Sequence, residues 1–269
     1  MSGDSTSSRV SLRFLSSALN SINKSDEKLA SGKRINRASD DAAGLAIADA
    51  LQADAAVFKQ ASNNAGYAQS LLSIQDGALE SVNQIGTRLA ELSTQAANGT
   101  LSDSQRSALN EEYQALSQEA QRIVDSTEFN GQKVFSGEST SFQIGLDSGS
   151  DSQITLQGSD LGTLVSSIAG KDISTQAGAR QALDASTEFV KSISQKRGQI
   201  GSVSSRLETA TSNIDVATEN LRSAESRIRD VDVAEEVASK TAATIKANAS
   251  IGVQAQGKLS AANVLKLLR

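Results

Sequence analysis

Residues 200–228 read IGSVSSRLETATSNIDVATENLRSAESRI. Within them Ile200, Val203, Leu207, Ala210, Ile214, Ala217, Leu221, Ala224 and Ile228 follow one another at alternating steps of three and four. An α-helix turns once in about 3.6 residues, so this spacing lays all nine on one stripe, a seam of the coiled-coil type. A seam this long specifies a rod, and a rod needs partner rods along its length. That pattern argues for a structural chain and against a compact enzyme core.

Composition points the same way. Among 269 residues there are only 8 aromatics, too few to anchor a thick core, while Ala, Ser and Gln abound. Small side chains let helices approach closely along a narrow seam. There is no proline, although ordinary usage of about 5% would supply roughly 13. Proline breaks helix interiors, so its absence suits long uninterrupted helices. Cys and His are both absent. Disulfides, thiolate or imidazole metal sites and Cys or His nucleophiles are excluded, and no metal or other cofactor is expected. The net charge of −5 is a poor basis for gripping phosphate backbones, so no nucleic-acid partner is expected. No run approaches about 20 consecutive apolar residues, so no membrane span is expected. The first 30 residues lack the apolar core of a cleaved signal peptide. Export, where it occurs, is expected to use another route.

Working outward, the first helix is expected from about Ser8 to Ser31. Its seam is Leu12, Leu15, Leu19, Ile22 and Leu29, with Asp26 at the skipped position. Gly32 reads as its stop. Lys33–Arg37 form a connector, and Ser39, Asp40 and Asp41 read as a cap with acidic charge at a positive helix end. A long helix follows over Ala42–Ala97 and ends at Asn98-Gly99. Ser102 and Gln105 have capping-box spacing and open a shorter helix to about Asp125. The period then falls to two. Phe142, Ile144 and Leu146, then Ile154 and Leu156, flank a turn-rich stretch and predict a β-hairpin. Val134 and Phe135 suit a third short strand, while Leu161–Ile168 is ambiguous. A second long helix is expected over Ser174–Arg229, a joint at Asp230–Asp232, and a last helix over Val233–Leu268.

The two long helices are equal in length, roughly 84 Å each at about 1.5 Å per residue. Equal length predicts an antiparallel pair. The expected fold class is therefore mainly α: a long antiparallel helical rod with paired terminal helices and a small β-hairpin region at the far tip. The expected organisation is an N-terminal helix over 1–36, a first rod arm over 37–135, a reduced β-rich tip over 136–173, a second rod arm over 174–229 and a C-terminal helix over 230–269. The terminal seam is thin for its length, so the terminal helices are expected to complete their packing on neighbouring copies.

At the joint the residues become specific. Leu29-Ala-Ser-Gly-Lys-Arg-Ile-Asn36 followed by Ser39-Asp-Asp-Ala-Ala-Gly-Leu-Ala46 closely resembles the N-terminal signature of bacterial flagellins. Gln95–Thr100, Phe129–Phe135, Ala224–Asp232 with Ala234-Glu-Glu236, and Asn263–Leu268 agree with that family in order and position. The matches cover both helical arms. Met1–Ser8 departs from the Ile-Asn-x-Asn type of start that many members share, and the variable outer region is reduced to about Ser136–Ile173. The chain thus resembles a minimal flagellin without large outer domains.

The resemblance implies a secreted, extracellular subunit of the flagellar filament, a helical homopolymer that serves as a propeller. The terminal helices would form its inner tube and the long helices its outer tube. It also implies a type III export apparatus, an export chaperone, and filament cap and hook-junction proteins as partners. The expected polymer interface is Leu12, Leu15, Leu19, Ile22, Leu29, Val264, Leu265 and Leu268. The expected joint residues are Arg34, Asn36, Asp40, Asp41, Asp230 and Asp232. Arg88, Leu92 and Glu112 match positions at which some flagellins contact an innate-immune receptor, although Ala90 replaces the basic residue often found between the first two. A hook–filament junction protein of the same family is the nearest alternative. A chemoreceptor-type signalling hairpin fits less well, because its tip would be helical where this one is β-patterned and Gly-rich.

Overall fold

The structure, a computed structural model, describes residues 2–267, and side chains for 9–259. Six helices dominate the described residues: α1 (Ser2–Ser31), α2 (Ala42–Ala96), α3 (Asp103–Ser126), α4 (Leu161–Ala169), α5 (Gln176–Arg229) and α6 (Val233–Leu267). Four short strands lie between α3 and α4: β1 (Glu128–Phe129), β2 (Gln132–Lys133), β3 (Thr140–Gln143) and β4 (Gln153–Leu156).

The chain forms two compact units. One comprises residues 1–55 and 219–269, the other residues 56–218. The breaks between helices fall where the sequence places them, at Gly32–Asp41 and Asp230–Asp232. The units themselves part inside α2 and α5. The joint is the reason: it ties α1 and α6 to the first turns of α2 and the last turns of α5, as described below.

The second unit holds the main core. Leu72, Leu79, Leu89 and Leu92 of α2 are buried with Tyr113 of α3, Ile168 of α4 and Phe189 and Ile193 of α5. The α5 stripe that opens the sequence reading is buried here at Ile200, Val203, Leu207 and Ile214. Burial pushes the Tyr113 phenol up, and its hydroxyl donates to Ile168 O at 3.3 Å. The C-terminal end of α2 is closed by side chains. Buried Arg106 donates to Ala96 O and Asn98 O, each at 3.0 Å, and Gln176 Nε2 donates to Ala97 O at 3.0 Å. These bonds satisfy carbonyls that a helix end otherwise leaves without partners. The capping box at Ser102 and Gln105 forms as its spacing predicts.

The tip differs in detail from its pattern. β3 pairs with β4 in antiparallel register, Phe142 opposite Ile154, but β3 ends at Gln143. Ile144 and Gly145 turn their N–H groups together onto Ser152 O at 2.8 and 3.1 Å, and this ends the ladder before Leu146, which is exposed. Val134 and Phe135 are not a strand. The first hairpin is the shorter β1–β2 pair, whose turn places Asn130 and Gly131 both at positive φ, 51° and 76°. This is the mirror-type turn that Asn-Gly favours. Leu161–Ile168 resolves as helix α4, with Asp160 capping the Thr163 N–H at 3.3 Å.

Two helix glycines have different surroundings. A Cβ on Gly86 would lie 2.8 Å from Phe189 Cδ1, so this glycine lets α2 and α5 close together. A Cβ on Gly77 would meet nothing within 4 Å. Gly86→Ala should therefore destabilise the second unit by about 1–3 kcal/mol. Gly77→Ala should stabilise the isolated subunit by up to about 1 kcal/mol. Urea unfolding of the two variants checks both signs.

Arg197 of α5 holds Asp76 of α2 through Nε at 2.8 Å and Nη2 at 3.1 Å. This guanidinium keeps the Asp76 carboxyl below the usual carboxylate range. A depressed folded pKa means stability that is fully present above the unfolded value, about 3.9, and lost as pH falls through the folded one. Both partners are about one-third to two-fifths exposed, so the contribution is about 1 kcal/mol or less. Asp76→Asn should lower the urea midpoint at pH 7, and its deficit relative to the unsubstituted chain should shrink steadily below pH 4.

Candidate polymerisation surface and joint

In the first unit α1 and α6 run antiparallel. Ser11 Oγ donates to Ser250 O at 3.0 Å, and Ser25 Oγ donates to Glu236 Oε1 at 2.6 Å. The two contacts are equally far apart along both helices, so the register holds between them. Lys28 reaches Glu236 at 3.3 Å and Lys240 reaches Asp26 at 2.6 Å, bracketing the seam with charge.

The seam itself is built from small residues. Ser11, Ala18 and Ser25 are buried on α1, and Ala243 and Ala247 on α6. Half-buried Leu15, Ile22 and Leu29 share that face of α1. Leu12 and Leu19 do not: each is 48% exposed. The expected single leucine stripe is thus split. A stripe with three-four spacing has two flanks, and one partner helix covers only one of them. Small residues draw α6 onto the flank at Ser11, Ala18 and Ser25, which leaves Leu12 and Leu19 facing outward. On α6, Val237, Ile245, Ile251 and Val253 are exposed as well. The side chains of Val264 and Leu265, and Leu268 as a whole, lie outside the described residues.

The two connectors clasp each other. Arg34 N–H donates to Arg229 O at 2.6 Å and Val231 N–H donates to Gly32 O at 3.1 Å, so Lys33 and Asp230 pair as a one-rung antiparallel bridge. Gly32 takes a φ of 68°, the left-handed stop that ends α1. The Arg34 guanidinium donates to Ile228 O at 2.7 Å, closing the end of α5. Asn36 Nδ2 donates to Ser31 Oγ at 2.8 Å and Lys33 O at 3.3 Å, which fixes the connector under α1.

The acidic residues of the joint divide their roles. Asp41 caps α2 by accepting the Gly44 N–H at 2.9 Å. Asp40 instead accepts the Asn36 and Arg37 N–H groups at 3.2 and 3.0 Å, and these bonds hold its carboxyl below the usual range. Asp232 caps α6 through the Ala234 and Glu235 N–H groups at 2.9 and 3.2 Å. Asp230 accepts the Ser226 hydroxyl at 2.5 Å. Arg229, which the sequence did not single out, links Asp49 at 3.1 Å, Gln52 at 3.0 Å and Glu225 at 3.7 Å.

On the second unit, Arg88 grips Glu112 through Nε at 3.0 Å and Nη2 at 2.7 Å, and Glu91 through Nη1 at 3.1 Å. This pair is exposed, as a surface contact requires. Leu92 is not: its exposure is 0%, so it belongs to the core and Arg88, Leu92 and Glu112 do not form one surface patch. Among the described residues no group of acidic side chains is gathered to hold a metal ion, and no helix is long and apolar enough to cross a membrane.

Comparison with known proteins converges on one family. The bacterial flagellin N-terminal helical region matches residues 5–140, and the bacterial flagellin C-terminal helical region matches residues 183–268. A flagellin of Halalkalibacterium halodurans is 41% identical over 253 residues, which cover 93% of each chain. A flagellin of Bacillus subtilis is 33% identical, with 96% of each chain covered. Among solved structures, the crystal structure of Bacillus cereus flagellin matches with a TM-score of 0.52 at 28% identity, covering 56% of this chain and 88% of that one. The chain belongs to the bacterial flagellin family and is a structural subunit of the flagellar filament, of minimal type without a large insert between its two helical regions.

Proposed function

We propose that α1 and α6 are the polymer-forming elements, and that they build the inner tube of an extracellular filament whose outer tube is made by the second unit. One observation carries this reading. Leu12 and Leu19 on α1 and Val237, Ile245, Ile251 and Val253 on α6 are exposed although the two helices are already paired. Apolar side chains left exposed on both helices of a pair are surface for further helices. In a homopolymer those helices come from other copies of the chain. The role is mechanical and not catalytic. Delivery through a type III export apparatus with a chaperone, and contacts with cap and hook-junction proteins, follow from the family and belong to the same proposal.

The leucines separate folding from assembly. Leu19→Asp places a charge on a position that is half open to water in the subunit and buried in the filament, where an unpaired charge is costly. The variant should keep the α1–α6 pairing and lose polymerisation. Circular dichroism of the monomer and electron microscopy after seeding check the two halves. Normal filaments from Leu19→Asp alone would remove this face from the interface.

The joint is proposed to set filament shape. Shifts between inner and outer layers must pass through the clasp at Gly32–Asp41 and Asp230–Asp232. Asp41→Ala and Asp232→Ala each remove an N-cap, worth about 1 kcal/mol per subunit. That leaves assembly possible but alters the balance between closely spaced packings. Filaments of both variants should form and should differ in pitch or handedness under dark-field light. Unchanged waveform with normal swimming in both would show that shape is set elsewhere.

A further inference from the structure

The sequence contains two Asn-Gly pairs, Asn98-Gly99 and Asn130-Gly131. Both asparagines are exposed, so access to water does not distinguish them. Their bonding does. Asn98 is clamped: its Oδ1 accepts the Thr100 N–H at 3.1 Å, its carbonyl accepts Arg106 Nη2 at 3.0 Å, and its own N–H donates to Gln95 O at 3.1 Å. Gln176 Nε2 closes the next position, 3.4 Å from where a Cβ on Gly99 would stand.

Asn130 stands instead at the head of the β1–β2 hairpin. Glu128 and Phe129 pair there with Lys133 and Gln132, and the Val134 N–H adds one bond to Thr127 O at 3.2 Å. So short a hairpin is marginal by itself, and its local opening costs little. In a two-residue turn the ladder joins the flanking residues, here Phe129 and Gln132, which leaves the Gly131 N–H outside it. A Cβ on Gly131 would meet nothing within 4 Å, so nothing crowds that position. Among the described residues no hydrogen bond holds the Asn130 side chain.

We propose that Asn130-Gly131 is a self-modification site, at which asparagine is converted to aspartate and isoaspartate with water as the co-reactant. When the hairpin opens, rotation about the Asn130 Cα–C bond brings the Gly131 nitrogen to Asn130 Cγ. Glycine offers no side chain to obstruct this approach. The nitrogen gives its proton to solvent and bonds to Cγ. The Cγ–Nδ2 bond breaks, and the amide group takes up a proton and leaves as ammonia. The product is a cyclic imide. Water opens it at either carbonyl, giving aspartate or, with one more methylene in the backbone, isoaspartate. Each conversion adds one negative charge, and isoaspartate lengthens a turn that Asn130 and Gly131 close at φ of 51° and 76°. The result is a slow, one-way loosening of β1–β2, the segment that joins α3 to the tip. Assembly is not involved in any step.

The unsubstituted chain carries its own control. Folded monomer is incubated in mildly alkaline buffer, and the Asn98 and Asn130 peptides are followed by mass spectrometry, with isoaspartate detected by enzymatic methylation. Asn130 should convert at least about tenfold faster than Asn98, because the clamp on Asn98 has to open further before its own imide can close. In urea, where neither clamp nor hairpin survives, the two rates should agree within about threefold. Isoaspartate should appear at position 130 together with aspartate. Equal rates in the folded chain, or faster conversion at Asn98, overturn the proposal. A preference for Asn130 that persists unchanged in urea overturns it as well, because flanking sequence and not the fold would then select the site. Aspartate without isoaspartate at position 130 overturns the cyclic route.

Discussion

Two helix pairings in this chain depend on side chains no larger than a methyl or a hydroxymethyl group on at least one side of the contact. Ser11, Ala18 and Ser25 meet Ala243 and Ala247 at one pairing, and Gly86 stands against Phe189 at another. Close approach of this kind makes the backbone surface itself part of the contact. It also makes the contact intolerant of interruption, which accounts for the absence of proline. Few atoms are buried per turn at such a seam, so stability has to be gathered over length.

Length creates a second requirement. Each helix leaves four carbonyls without partners at its C-terminus, and four N–H groups at its start. The chain answers these with side chains from neighbouring connections. Arg106 and Gln176 close α2, Arg34 closes α5, and Asp41 and Asp232 open α2 and α6. At the joint the two connectors complete one another, because the bridge between Lys33 and Asp230 uses N–H and C=O groups that neither connector satisfies alone.

Sequence periodicity shows the helices well and their partners less well. Helix ends agree with the structure within one or two residues wherever a cap or a glycine marks them, as at Gly32 and Ser102. Counting leucines and passing over serines misplaces the seam of α1. Ser11, Ala18 and Ser25 recur every seven residues, and that repeat of small residues is the available signal. Leu92 is offered as a surface contact only by its local match to the family, whereas the helical period of Leu79, Val82, Leu89, Leu92 and Ala96 places it on the seam of α2, and that seam is buried. Arg106 gives no sequence signal, and Arg229 none beyond its place in the Ala224–Asp232 match. A lone arginine reads as solvated surface until the tertiary fold brings helix ends within reach of it.

The exposed aliphatics explain why assembly is conditional. Among the described residues, ten of the sixteen exposed large hydrophobics lie on α1 and α6. Completing the burial of each is worth about 1 kcal/mol, so about 10 kcal/mol per subunit stands against an association cost of about 4–15 kcal/mol. A single partner covers only part of that surface and leaves the sum unfavourable. Several neighbours at once cover all of it, and each new subunit at a growing end meets several. Growth from an existing end is therefore favoured over pairing in free solution. The same small-residue seam that leaves these side chains outside the α1–α6 contact makes the chain a subunit that waits for an end to join.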